Sequence, residues 1–158
     1  MPDKTNFTHH HKSTSLIQIF ATIGLLDSAY LSYIKLAHAS IYCTPGLGHC
    51  DVVNASRWSY MWGVPIAVFG VVGYAAILLL ITFGNRSKTL APYVDLMFFG
   101  ISLTGFLFSL YLTYIEIFLL KTICQWCVLS ALMMTAIFIL SIVRLVVQSS
   151  KFKKSGGN

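Results

Sequence analysis

The sequence predicts an all-α membrane protein, a bundle of four transmembrane helices, and three observations carry that prediction. Of 158 residues, 56% are hydrophobic and only 10% charged, and the mean hydropathy of +0.74 lies beyond the range of a soluble globular domain. Four apolar runs of about 20 residues, each long enough to cross a hydrocarbon layer as a helix, are separated by polar breakers. Lysine and arginine gather on one side of those crossings. The four runs use most of the chain, so a single domain over residues 15–148 accounts for it. No room remains for a separate soluble catalytic domain.

Residues 1–14 read as a polar tail, and its three histidines, His9 to His11, fit solvated side chains better than a metal site. The first span covers about 16–36. It lacks a small-residue cleavage site and is too long for a signal-peptide core, so it is a retained helix. The second span covers about 64–83, and a short 84–92 connection leads to the third, about 94–120. That run of 27 residues exceeds what a hydrocarbon layer of roughly 30 Å requires, which predicts tilt or protrusion at one end. The fourth span covers about 126–147, and a basic tail, 149–158, follows.

Four crossings put both ends of the chain on one side. Lys4, Lys12, Arg86, Lys88, Arg144, Lys151, Lys153 and Lys154 fall there, against Lys35, Arg57 and Lys121 on the other side, eight against three. This bias predicts cytoplasmic termini in a cell (inner) membrane and places the first and third connections outside. The net charge of +6 is thereby explained by topology, and nucleic-acid binding is not expected.

Cys43, Cys50, Cys124 and Cys127 all lie in or beside the outer connections, in the compartment where disulfides form and persist. Cys43 and Cys50 enclose "TPGLGH", whose proline and two glycines favour turns over regular structure. Three pairings are open to four cysteines, and spacing does not select among them. Taken alone, this first pair reads as readily as a static staple. Cys124 and Cys127 share one face at the start of the fourth helix. Free backbone N–H groups and the positive end of the helix dipole stabilise a thiolate there, the species that attacks a disulfide or a quinone ring. A zinc site from four thiolates competes with this redox reading, but the six-residue gap in the first pair is wider than the two to four residues typical of zinc ligands. Haem attachment fails because Val128, not histidine, follows the motif.

The stretches "GLLDSAYLSYIKL", "CTPGLGHCDVVNASRWSYMWGVPIAVFGVVGY" and "CQWCVLSA" resemble the bacterial homologues of vitamin K epoxide reductase, in that family's order and with similar spacing. The resemblance implies a four-helix bundle around a quinone, ubiquinone or menaquinone, with an extracytoplasmic half-helix lid. It also implies roles: Cys43 exchanges with a reduced partner, Cys50 shuttles between Cys43 and Cys124, and Cys127 faces the quinone. Ser56, six residues after Cys50, is implied near a quinone carbonyl. Many bacterial members carry a fused thioredoxin-like domain, whereas this chain ends in "KFKKSGGN", so the expected partner is a separate soluble, DsbA-like thioredoxin-fold protein. Vertebrate members have a tyrosine four residues after the motif's second cysteine, where this chain has Ala131, which weakens any carry-over of epoxide reduction.

Tyr111, Tyr114 and Phe118 recur at helical spacing, and the two tyrosines are candidate quinone-stacking residues beside the bland alternative of packing. Asp27 lies near the middle of the first span, where a carboxylate is expensive; a neutral, hydrogen-bonded structural role is preferred to a proton path. Glu116 and Asp95 lie nearer the ends of the third span and are assigned no chemistry. Trp58, Tyr60 and Trp62 read as an interfacial belt, and Gly70, Gly73, Gly100 and Gly105 as close-approach positions between helices. The expected activity is a thiol–quinone oxidoreductase supporting disulfide formation. The nearest rival is the DsbB type, which has the reverse order of cysteine pairs. A rival of another class is a non-enzymatic metal-binding membrane protein, disfavoured because the adjacent Met133 and Met134 cannot face one site.

Overall fold

A computed structural model describes residues 4–44, 49–84 and 91–155. The 85–90 connection, with Arg86 and Lys88, and the 45–48 part of the outer loop lie outside the described residues. The chain forms α1 (Lys4–Leu36), a short α2 (Cys50–Ala55), α3 (Ile66–Phe83), α4 (Ala91–Tyr114) and α5 (Gln125–Ser155). Four of these helices are long and apolar enough to cross a membrane, over Ser13–Leu36, Ile66–Phe83, Tyr93–Leu120 and Gln125–Val147. The backbone of α1 is already helical from Lys4, within the stretch expected as a tail.

The long helices form a closed ring in the order α1, α3, α4, α5, each packing on its two neighbours. Their pairing is antiparallel throughout. Ser28 of α1 meets Gly70 of α3, and Gly24 meets Tyr74. Between α4 and α5, Asp95 pairs with Arg144 at 3.0 Å near one end, and the Phe106 and Phe138 rings stack further along. Away from the cysteines the interior is an apolar core of Ile17, Ala21, Ile77, Ile81, Phe98 and Ile137. The outward faces carry Leu26, Val72, Leu96, Leu107, Leu132 and Ile139 exposed, the surface that lipid covers in a spanning bundle.

The excess length of the third span is absorbed locally. Its last residues, Ile115–Leu120, widen into a π-helical turn, which ends where Lys121 adopts a left-handed φ of 52°. The N–H groups of Lys121 and Thr122 both return to the Glu116 carbonyl. The chain thus curls back over the bundle before α5 begins.

The first connection makes a lid. After α2 comes a 3-10 turn, Arg57–Ser59, and a two-stranded antiparallel hairpin, β1 (Tyr60–Met61) with β2 (Val64–Pro65), in register Tyr60 to Pro65 and Met61 to Val64. Trp62 and Gly63 form the hairpin tip with φ of 51° and 80°, the mirror-image turn whose twist suits a tight hairpin. Trp62 is 91% exposed, as an interfacial anchor requires. Lys35, at the end of α1, reaches up to this lid: its ammonium donates to the Asn54 carbonyl and to Ser59 Oγ and sits over the Tyr60 ring.

Candidate functional site

Cys43 and Cys50 are joined by a disulfide, with their Cα atoms 6.0 Å apart. Cys43 is partly exposed in an irregular segment, whereas Cys50 opens α2 and is fully buried. Two bonds from α5 hold this segment against the bundle: Trp126 Nε1 donates to the Tyr42 carbonyl at 2.9 Å, and the Thr44 N–H donates to Gln125 Oε1 at 3.3 Å. Tyr30 of α1 packs on the Trp126 ring from the other side. The two middle residues of "CQWC" therefore dock the loop pair beside the helix pair. All four cysteines belong to one apolar cluster, with Cys50 and Cys124 buried at its centre beside Ile34 and Ile41.

Cys124 and Cys127 are free thiols. The Cys124 carbonyl accepts the first helical bond of α5, from the Val128 N–H at 3.0 Å, so Cys124 occupies the capping position of the helix and Cys127 lies in its first turn. The Cys127 thiol donates to the Cys124 sulfur, and the N–H groups of Cys127 and Trp126 point at the same atom; together these hold the Cys124 thiol below the usual thiol range, against burial and the nearby Glu116 carboxylate. The Cys127 side chain is the largest of these contributions, and the backbone N–H groups of the helix start add to it.

Glu116 is the residue that sequence reasoning passed over. It is 5% exposed; its Oε2 accepts the Cys124 N–H at 3.1 Å, and its carboxylate is the alternative acceptor, beside the Cys124 sulfur, for the single proton of the Cys127 thiol. The π-helical turn is what brings it there, because the widened turn rotates position 116 toward α5. The available signal was a lone carboxylate in an apolar run, eight residues before the first motif cysteine.

Below the lid lies a cavity of about 560 Å³, with walls from α1, α3, α4 and α5 and a cover formed by the lid. Its size falls in the range of about 300–1,000 Å³ usual for small-molecule sites. Cys124, Cys127 and Glu116 line it at the cysteine end, and Ser56, Trp58 and Met61 line it from the lid. A largely apolar chamber of this size that reaches the thiols has room for a quinone ring. Ser56 lines the cavity, and its hydroxyl donates to the Val53 carbonyl at 2.8 Å, so bonding a ligand carbonyl in the cavity requires it to turn.

The tyrosine expectation needs correction. Tyr111 and Tyr114 are 47% and 54% exposed and do not line the cavity; at that level Phe108, Ser109, Leu112 and Thr113 do. Tyr111 lies tilted against the Phe108 ring at 6.4 Å, and Tyr114 stacks on Phe118. The glycines divide in two. Methyl groups at Gly70 and Gly105 would collide with Ser28 and Met134, the close approach expected, while Gly73 and Gly100 face open space and leave room in the cavity. Asp27 is buried near Ser130, whose backbone and hydroxyl oxygens lie 2.9 and 3.1 Å from Tyr74 Oη.

A bridged pair, a dithiol and an apolar chamber thus adjoin one another, an arrangement suited to passing electron pairs between thiols and a small oxidant. The chain matches the family described as the Vitamin K epoxide reductase family over residues 15–142. It is also similar to the Thiol-disulfide oxidoreductase LTO1 of Arabidopsis thaliana, 32% identical over 127 residues, which cover 75% of this chain and 33% of that protein. The chain therefore spans about a third of the length of this curated relative.

Proposed function

The chain belongs to the vitamin K epoxide reductase family, and from that premise we propose that it is a membrane thiol–quinone oxidoreductase that reoxidises a soluble thioredoxin-fold partner. The observation that carries this reading is the shared cluster of all four cysteines with Cys124 and Cys127 opening onto the cavity. The partner's dithiol attacks the Cys43–Cys50 bridge at the partly exposed Cys43 and leaves as a disulfide. Cys50 then attacks Cys124 of an oxidised helix pair, releasing Cys127 as a thiolate. Cys43 attacks Cys50 in turn, which re-forms the loop bridge and leaves both helix thiols reduced. That distribution, a bridged loop pair and free helix thiols, is the one this structure holds.

A bound quinone, ubiquinone or menaquinone, supplies the two-electron, two-proton sink that returns the helix pair to its disulfide. The residues that would hold it are the cavity walls, with Cys127 on the reacting side and Ser56 on the lid. Two pairs are needed because a soluble partner reaches Cys43 but not a thiol inside the bundle. The LTO1 relative is named as a thiol-disulfide oxidoreductase, which supports the same class of chemistry. The basic bias toward the chain ends supports cytoplasmic termini and an extracytoplasmic cysteine end in the cell membrane, and a separate DsbA-like protein fits as the partner.

Anaerobic stopped-flow absorbance tests the reading. The dithiol-reduced protein mixed with a soluble quinone analogue is expected to reduce it in a fast phase, and Cys127→Ser is expected to lose that phase. A folded wild type that reduces no quinone contradicts it.

A further inference from the structure

The thiol relay uses no carboxylate, yet one lies against its helix pair. Among the described residues Glu116 is the one acidic side chain on the cavity wall. It is buried, and its carboxylate faces both motif cysteines through the Cys124 N–H and the Cys127 thiol. The other charged or titratable groups on the same wall are Lys35 of α1, Tyr74 of α3 and the two thiols of α5. Cys50 of α2 is bridged and does not titrate. Lys35 is occupied by the lid, where it bonds Asn54 and Ser59.

A reduced Cys127 must lose its proton before its sulfur can act as a nucleophile. In a buried site, a thiolate beside an ionised carboxylate places two like charges together, which is costly. Moving the proton from sulfur to Glu116 creates the thiolate without adding net charge to the cavity.

We propose that Glu116 is the catalytic base of the helix pair, taking the Cys127 thiol proton and holding it at the cavity wall. This rests on the thiol–quinone reading and assigns that reaction its proton acceptor. The S–H bond of Cys127 breaks and an O–H bond forms on Glu116; no electrons change owner in this step. When the two thiols are then oxidised to the disulfide by a quinone, two electrons and two protons leave them. Glu116 delivers the Cys127 proton to the hydroquinone and returns to its ionised form, and the second proton, from the Cys124 thiol, passes to the same product as the two sulfurs close the disulfide.

The test uses the full-length, reduced protein under anaerobic conditions without quinone, so its outcome is separate from that of the stopped-flow experiment. N-ethylmaleimide alkylation is followed at Cys127 and Cys124 by mass spectrometry in wild type, Glu116→Gln and Glu116→Asp. Glutamine keeps an acceptor for the Cys124 N–H but accepts no proton. The expected result at neutral pH is at least about tenfold slower alkylation of Cys127 in Glu116→Gln, with Cys124 not slowed and Cys127 of Glu116→Asp in between. Cys127 reacting as fast or faster in Glu116→Gln overturns the proposal, because that is what a carboxylate acting only by repulsion gives. Parallel slowing of both cysteines also overturns it, as the mark of a purely structural role. So does a Cys127 rate in Glu116→Asp at or above wild type.

Discussion

A thiol at the start of a helix gains from the unpaired N–H groups there, and Cys124 adds to them the Cys127 thiol as its strongest donor. Those donors lower its titration relative to an ordinary cysteine, so the thiolate persists as pH falls below the free-thiol value of about 8.5. Cys127→Ala removes the largest contribution, and the midpoint of the Cys124 alkylation rate against pH should move upward. An unchanged midpoint would leave the backbone N–H groups as the sole cause. The four cysteines were legible in the sequence because their spacing and topology are local properties. Glu116 was not, because its depth depends on a turn geometry that hydropathy does not encode. Tyr111 and Tyr114 misled for a related reason: helical spacing puts residues on one face, but it does not say whether that face meets the cavity or lipid.

At the scale of elements, the four spans follow from the lengths of apolar runs, which a sequence displays directly. The hairpin in the lid and the π-helical turn do not, since each depends on a few residues in left-handed conformations, Trp62 and Gly63 in one and Lys121 in the other. The lid has little apolar core of its own and is held by Lys35 from below and by Gln125 and Trp126 from the side. The seam between α3 and α4 shows how helices can pack and still enclose space: Gly73 and Gly100 meet no atom within 4 Å of an added Cβ. Gly100→Leu should therefore fold with an unchanged unfolding temperature yet fill the chamber. The quinone KM is expected to rise about tenfold or more, equivalent to roughly 1.4 kcal/mol of lost binding. An unchanged KM would place the quinone elsewhere.

For the whole molecule, the ring of helices divides the interior by task. The end that joins Asp95 to Arg144 is packed solid, and the cysteine end is hollow and lidded. An apolar bundle with a hollow end has room for a membrane-soluble oxidant, and among the described residues the lid and the partly exposed Cys43 segment lie at that end. In the proposed relay electrons cross from one cysteine pair to the other inside the shared cluster, where Cys50 and Cys124 are both buried. The most direct measurement of that crossing is mass spectrometry of two double variants after air oxidation. Cys43→Ala with Cys127→Ala should form the Cys50–Cys124 disulfide nearly to completion, while Cys50→Ala with Cys124→Ala should leave Cys43 and Cys127 as free thiols. If Cys50 and Cys124 stay reduced, or Cys43 and Cys127 couple as readily, the relay from loop pair to helix pair is contradicted.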